Sequence, residues 1–421
     1  MTITKKVVRQ PELGDVVYRS DRMADVMGRF KEAALLPSFV KKAPQLNMTQ
    51  LAELLGTSTG TLSNRIANGK LPTGTKVGAR TLFSIEEVRE HARSQGICSP
   101  NAAGRGLVMT ISNFKGGVAK TSTTVTLAQY LALRGYNVLV IDLDPQASAT
   151  TLFGVSPYVD VQYEQSASAL FDAEIDPTTI PIGTYWPGID LIPASQSLYQ
   201  EEFSLAAAAK DWGGEIFHFL EQKMALAPNG QSLRDKYDII LFDTQPSLGF
   251  LTSCAIFAAD HLLVTVPPSS LDFASSVVFW SLLRDVISAA EDSGSPGKVW
   301  QGIHILQTRV DEQDKSTQTI RQLLAMGCED WVLPIGIPTT RVATNASSEF
   351  ATVYDIEKYE GSAKTLKRAR EAFDEAFSQV VQILEETWER MAKPELYEVV
   401  PSATALAYRE QRAAANAEVT R

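Results

Sequence analysis

Residues Gly106–Val125, GLVMTISNFKGGVAKTSTTV, decide the fold. Leu107 to Ile111 is a short apolar run of β-formers that ends in the glycine turn Lys115-Gly116-Gly117-Val118-Ala119-Lys120-Thr121, with Ser122 next. A helical pattern then runs to about Arg134, with Gly135 placed to stop it. Strand, glycine turn and helix in that order build a phosphate site. Gly116 and Gly117 let the backbone approach a ligand, successive N–H groups converge on it, and the helix N-terminus adds its positive end. In such a loop Lys120 reaches the β- and γ-phosphates and the Thr121 hydroxyl ligates Mg²⁺. The turn departs from G-x-x-x-x-G-K-[ST], with Phe114 and Ala119 at the glycine positions and a lysine, Lys115, at its front. Taken alone, it also fits a plain glycine turn with solvated lysines.

Two stretches downstream narrow the choice. Asn137–Ile141 (NVLVI) reads as a buried strand ending in Asp142-Leu143-Asp144-Pro145-Gln146. Acids at the C-terminal tip of such a strand lie beside the phosphate loop. Asp144 is placed to orient a water for attack on the γ-phosphate, and Asp142 to support the metal shell. Asp238–Asp243 (DIILFD) is another buried strand with an acid at its tip, a Walker B arrangement in which Asp243 holds Mg²⁺. Further strands are expected at His261–Val266 and Gly302–Leu306, with a short one within Trp331–Ile337. Apolar strand runs alternating with helices give an α/β class: a doubly wound parallel-sheet P-loop NTPase domain, residues 107–393, covered on both faces.

Residues 47–71 (NMTQLAELLGTSTGTLSNRIANGKL) read as two short helices, the first capped by Thr49 and the second by Ser58 or Thr59, with Gly56 between. The second turns Thr59, Thr61, Ser63, Asn64 and Arg65 outward, short donors and acceptors suited to base edges and phosphates. KVGARTLFS could form a wing hairpin, and IEEVREHARSQG another helix. The segment 47–98 thus reads as a small α-rich, winged helix-turn-helix DNA-binding domain, or as a helical domain without DNA contact. Residues 1–46 form an arm whose amphipathic helix, 21–36, packs on its own domain or dimerises. Residues 99–106 (SPNAAGRG) are the linker.

Charge supports that division. Residues 1–105 hold 16 Lys/Arg against 9 Asp/Glu, a balance of +7, whereas the rest holds 23 against 40, a balance of −17. A basic first quarter on an acidic body suggests a polyanionic partner, although a solvated positive face reads the same. No run approaches a membrane span and residues 1–20 lack an apolar signal region. Cys98, Cys254 and Cys328 are far apart with no C-x-x-C pair, and read as reduced thiols of a cytoplasmic protein. Residues 362–392 form a long amphipathic helix that docks Phe373, Phe377, Leu384 and Trp388, with Lys364, Lys367, Arg368 and Arg370 as a basic patch open to DNA phosphates. The tail, 394–421, has little apolar content and is expected to be flexible, disordered or loosely helical, and without membrane attachment.

KGGVAKTS, VLVIDLDPQASAT, YDIILFDTQPSLGFLT and the late IGIPTT together resemble a ParA-type partition ATPase with the deviant Walker A of the ParA/MinD group, over about residues 106–390. The N-terminal reader resembles that of the longer ParA class, which represses its own operon. The resemblance implies slow ATP hydrolysis, with Lys115 as the signature lysine that crosses a dimer interface to the partner's nucleotide. It implies the phosphate lysine and magnesium ligand at Lys120 and Thr121, the water-activating acid at Asp144, which also serves the metal site, and the Walker B acid at Asp243. Pro338 falls in the adenine pocket, and Arg341 near a region that meets non-specific DNA. The implied partners are a second copy of the chain in an ATP-dependent dimer, nucleoid DNA and a ParB-type centromere-binding protein; filament growth is left open. Two departures stand out: Ala119 for the usual glycine and Gln245 for a usual proline. Two other readings remain at this point. One is an ATP-sensing transcription regulator without partition activity. The other is a relative of the nitrogenase iron protein, for which Cys254 and Cys328 lack suitable neighbours.

Overall fold

The computed structural model describes residues 13–34, 41–98, 103–158, 160–295, 297–402, 404–408 and 410–411, and the chain divides into two units, Met1–Lys42 and Ala43–Arg421. In the first, α1 (Leu13–Ala34) spans most of the helix expected over 21–36; positions 35–36 lie outside the described residues. Leu13, Val17, Tyr18, Met23 and Val26 are exposed along it.

The second unit begins with β1 (Leu46–Asn47), α2 (Met48–Leu54), α3 (Thr59–Ala67), β2 (Thr75–Val77), β3 (Arg80–Phe83) and α4 (Ile85–Ser94). Asn47, rather than the expected Thr49, caps α2: its side chain accepts from the Thr49 and Gln50 N–H groups, and Gln50 returns a bond to its backbone. Thr49 lies inside the first turn, where a side chain no longer faces the orphan donors. Ser58 caps α3, and Leu51, Leu55 and Leu62 are buried with the helices they belong to. Gly78, at φ +61°, turns β2 into β3, and β1 pairs on the other edge of β3. The segment is thus a helix pair followed by a hairpin.

The body follows as β4 (Leu107–Ser112), α5 (Lys120–Leu133), β5 (Val138–Asp142), α6 (Ser148–Leu152), β6 (Ile182–Gly183), β7 (Ile189–Ile192), α7 (Leu198–Trp212), α8 (Phe219–Ala225), α9 (Leu233–Lys236), β8 (Ile239–Asp243), α10 (Phe250–Ala258), β9 (His261–Val266), α11 (Ser270–Asp292), β10 (Gly302–Gln307), α12 (Lys315–Cys328), α13 (Arg341–Ser348) and α14 (Ala363–Ala392). The strands form one sheet, ordered β10-β9-β4-β8-β5-β7-β6, in which β6 alone runs antiparallel. Successive side chains of a strand point to opposite faces, so each central strand feeds two cores. Leu107, Met109 and Ile111 join Leu127 and Leu131 of α5 and Phe377, Leu384 and Trp388 of α14. Val108, Ile141 and Phe242 join Leu220 of α8 and Leu251 and Ala255 of α10.

Three expectations change. Trp331–Ile337 is no strand: Pro334 and Pro338 lack the N–H a ladder needs, and only isolated bridges remain, Ile305 with Val332 and Val310 with Pro338. Among the described residues one helix, α11, is long and apolar enough to cross a membrane by length and composition, although it packs Phe279 and Leu283 against the body beside β9. Arg370 is not part of a free basic patch, because its guanidinium is turned inward onto the carbonyls of Val353, Tyr354 and Ile356. Lys367 of the same patch reaches Glu53 of α2 at 2.6 Å. In the tail, residues 404–408 are helical, and residues 412–421 lie outside the described residues.

Residues 43–98 and the body belong to one unit, and α4 meets the end of α5. The last carbonyls of a helix have no partner within it. Arg89 fills that need, donating to the carbonyls of Ala132 and Tyr136 at 3.1 and 2.6 Å and to Asn137 Oδ1 at 2.8 Å. Arg93 donates to the Gly135 carbonyl at 2.7 Å. Gly188, at φ +89°, leaves the space: a Cβ there would lie 1.6 Å from the Arg89 guanidinium.

Candidate nucleotide site

The glycine turn leaves β4 at Ser112 and enters α5 at Lys120. Asn113 anchors its start, accepting from the Lys115 N–H at 3.0 Å and donating to the Thr265 carbonyl of β9 at 2.9 Å. Gly116 and Gly117 are exposed and Gly117 takes φ +76°. Ala119 also takes a left-handed conformation, φ +68°, as the residue before α5, so the backbone needs there what a glycine supplies freely. Val118 is buried, and its carbonyl accepts from Thr308 at the end of β10.

Lys120, nearly buried, donates from Nζ to the Lys115 carbonyl at 3.0 Å, curling back over the loop where a phosphate would sit. Burial lowers its pKa, and Asp243 and Asp144 pull it back up. Lys115 Nζ is paired with Asp272 at 2.5 Å, in the first turn of α11. Ser122 is exposed on the second turn side of the site and lines a small cavity of about 40 Å³ with Thr126, Thr352 and Phe373.

The two acid-tipped strands are neighbours, and Asp142 and Asp243 stand opposite each other in register. Both are fully buried. Burial raises both pKa values, and the Asp142 carboxyl rises further because it faces Asp243. Their partners differ. Asp142 accepts from the Thr150 N–H and hydroxyl, both at 2.8 Å, and from the Asp144 N–H at 3.1 Å. It therefore organises the turn that carries Asp144, where the sequence placed it at the metal shell. Asp243 accepts from the Thr124 hydroxyl at 3.1 Å through Oδ1, while its Oδ2 is buried with no donor. A buried carboxylate oxygen without a partner fits a cation or its water shell. Asp144 accepts from the Gln146 N–H at 2.9 Å, and burial raises its pKa against the pull of Lys120.

The remaining predicted residues lie elsewhere. Pro338 is half-buried and bridges Val310, just past the Thr308 that touches the loop. Arg341 is exposed at the first position of α13, after the cap Thr340. Thr59, Thr61, Ser63, Asn64 and Arg65 are all exposed on α3. Thr61 shares a hydroxyl bond with Ser58, and the Arg65 fork is held by Gln95 at 2.5 Å. Cys254 is buried within α10, where its thiol donates to the Ile216 carbonyl. Sequence reasoning missed Asn113, Thr124, Asp272 and Thr308, which depend on contacts across strands. Only Asn113, directly before the turn, carried a local signal.

Residues 106–291 match a protein family described as AAA domain. The chain is 31% identical over 328 residues to a protein of Rhizobium rhizogenes named replication protein A, covering 74% of this chain and 80% of that one. It is 30% identical over 269 residues to the chromosome partitioning protein ParA of Caulobacter vibrioides, covering 63% of this chain and 92% of that one. The chain belongs to the ParA family of partition ATPases. The family likeness extends to the fold of a solved structure described as a partition protein, with a TM-score of 0.61 and 18% identity over 87% of this chain and 99% of that one. Residues 106–421 are 316 of the 421 positions, about three-quarters, so that shared ParA-like fold reaches in front of Gly106.

Proposed function

We propose that this partition ATPase binds ATP on the turn Lys115–Ser122 and hydrolyses it slowly in an ATP-dependent dimer assembled on non-specific DNA. One observation carries the reading: a lysine-fronted glycine turn stands over a buried Asp243 oxygen that has no donor of its own. Thr121 and Asp243 would hold Mg²⁺, which when bound neutralises charge developing on the β- and γ-phosphates. Lys120 exchanges the Lys115 carbonyl for the phosphates, and the loop N–H groups cradle them. Asp144 orients the attacking water and takes its proton, a task helped by burial, which raises its pKa. Pro338 flanks the base. Lys115 gives up Asp272 to reach the partner's nucleotide, so dimer closure and the loss of that ion pair are one event. Arg341 meets DNA phosphates, and a ParB-type partner speeds hydrolysis and release.

The α3 face, with Thr59, Thr61, Ser63, Asn64 and Arg65, reads an operator, and the chain represses its own operon. The Lys120→Ala variant tests the site: nucleotide affinity and DNA-stimulated hydrolysis are expected to disappear, and a variant that retains both removes the assignment. A second reading, an ATP-sensing regulator without partition activity, is favoured by one contact: Arg89 and Arg93 join the reader to the far end of α5. ATP turnover of zero with DNA and partner present would select it.

A further inference from the structure

Helix α7 touches the turns that follow both acid-tipped strands. Tyr199 and Glu202 stand one turn apart on one face of it. The Tyr199 hydroxyl accepts from Gln146 Nε2 at 2.7 Å, and Gln146 closes the turn that Asp144 caps. The Glu202 carboxylate accepts from the N–H groups of Phe250 and Leu251 at 2.5 and 3.1 Å and from Gln245 Nε2 at 3.3 Å. The turn after Asp144 and the turn after Asp243 therefore end on neighbouring side chains of a single helix.

Part of this is ordinary helix capping. Gly249, the residue before α10, has no side chain to cap it, so Glu202 supplies the acceptor from outside. Capping alone accounts for Phe250 and Leu251. It leaves unexplained why the same carboxylate also holds Gln245, two residues past Asp243, and why Tyr199 holds the other turn. The approach is close enough to fix a residue type: a Cβ on Gly249 would lie 2.1 Å from Glu202 Oε1. The Gly249 backbone itself, φ −83° and ψ −171°, is open to any amino acid.

We propose that Tyr199 and Glu202 are positioning residues for ATP hydrolysis, locking the turns of Asp144 and Asp243 to one another through α7. This rests on the assignment of those acids to the water and the metal. Misplacement by about 1 Å costs up to about 100-fold in rate when the reacting groups depend on fixed geometry. Neither residue touches the phosphate loop, so nucleotide affinity is independent of them.

The test uses the full chain with Mg²⁺ and ATP, reading kcat with DNA present, affinity for ATP, and the melting temperature. Glu202→Ala and Gly249→Ala are each expected to lower kcat about tenfold and change affinity less than about twofold. The double variant is expected to be no slower than either single, because the Gly249 methyl acts only by displacing Glu202. Glu202→Gln keeps an acceptor and recovers most of the rate, and Tyr199→Phe gives a smaller loss. Full turnover in Glu202→Ala, losses that multiply in the double variant, or affinity falling in step with kcat would each overturn the proposal. Lys120→Ala, run alongside, separates the two levels. If it still binds ATP, the site assignment falls and this proposal with it; if it loses ATP while Glu202→Ala turns over normally, this proposal alone falls.

Discussion

Asp142 and Asp243 are two buried carboxyls in register on adjacent strands, with raised pKa values. A carboxyl whose folded pKa exceeds its unfolded value favours folding while protonated. That contribution is whole below the unfolded value of about 4 and is lost as pH rises through the folded one. The unliganded protein is therefore expected to lose stability through this pair between about pH 4 and neutrality. Asp243→Asn removes one charge and gives the orphan oxygen position a donor beside Asp142. In urea unfolding it should stabilise the unliganded protein by about 1–3 kcal/mol at pH 8 and by little at pH 5. Mg²⁺-dependent hydrolysis should fall at least about 100-fold. Equal shifts at both pH values would contradict the repulsion. Ala119 stores a smaller strain, since a left-handed φ costs an L-residue about 1–2 kcal/mol. Ala119→Gly should lie within about 0.5 kcal/mol of the parent, because glycine's chain entropy offsets the relief. Ala119→Val should lose about 1–2 kcal/mol more, with weaker ATP binding by titration.

At the scale of elements, α5 is held at both ends, by the phosphate loop at its start and by Arg89 and Arg93 at its finish. Arg89→Met keeps the apolar stem but strips the donors from three acceptors, and is expected to cost about 2–4 kcal/mol in urea unfolding. Amides at 135–137 should exchange faster in the same variant; unchanged exchange there would mean the cap is not what ties α4 to α5. The clamp had no signature in IEEVREHARSQG, where two arginines four apart look like a solvated face. The strands were more legible. β4, β5, β8 and β9 are buried on both faces, so each is a continuous apolar run. The edge was harder to read: β6 and β7 are short and were not among the expected strands, while WVLPIGIP looked like a strand although its prolines bar a ladder. The helix α14 matched its period, yet the same period could not tell that Arg370 turns inward.

The whole molecule sets a basic first quarter against a body of net charge −17. The proposed binding to non-specific DNA would therefore come from local cations against a repulsive average, and should weaken steeply with salt. Arg341, exposed at the start of α13, is one such cation. Arg341→Ala should reduce the slope of log affinity against log salt by about 0.9, by fluorescence anisotropy with duplexes of unrelated sequence. An unchanged slope would remove Arg341 from the interface. The sequence by itself determined the sheet's central strands, the phosphate turn and its acids, because buried parallel strands and glycine turns are written in contiguous residues. Tertiary structure alone decided the orphaned oxygen of Asp243, the Lys115–Asp272 pair, the cap that α4 places on α5 and the grip of α7 on two turns. Each of those joins residues far apart in the chain, and what they do depends on which groups burial leaves without water and without another partner.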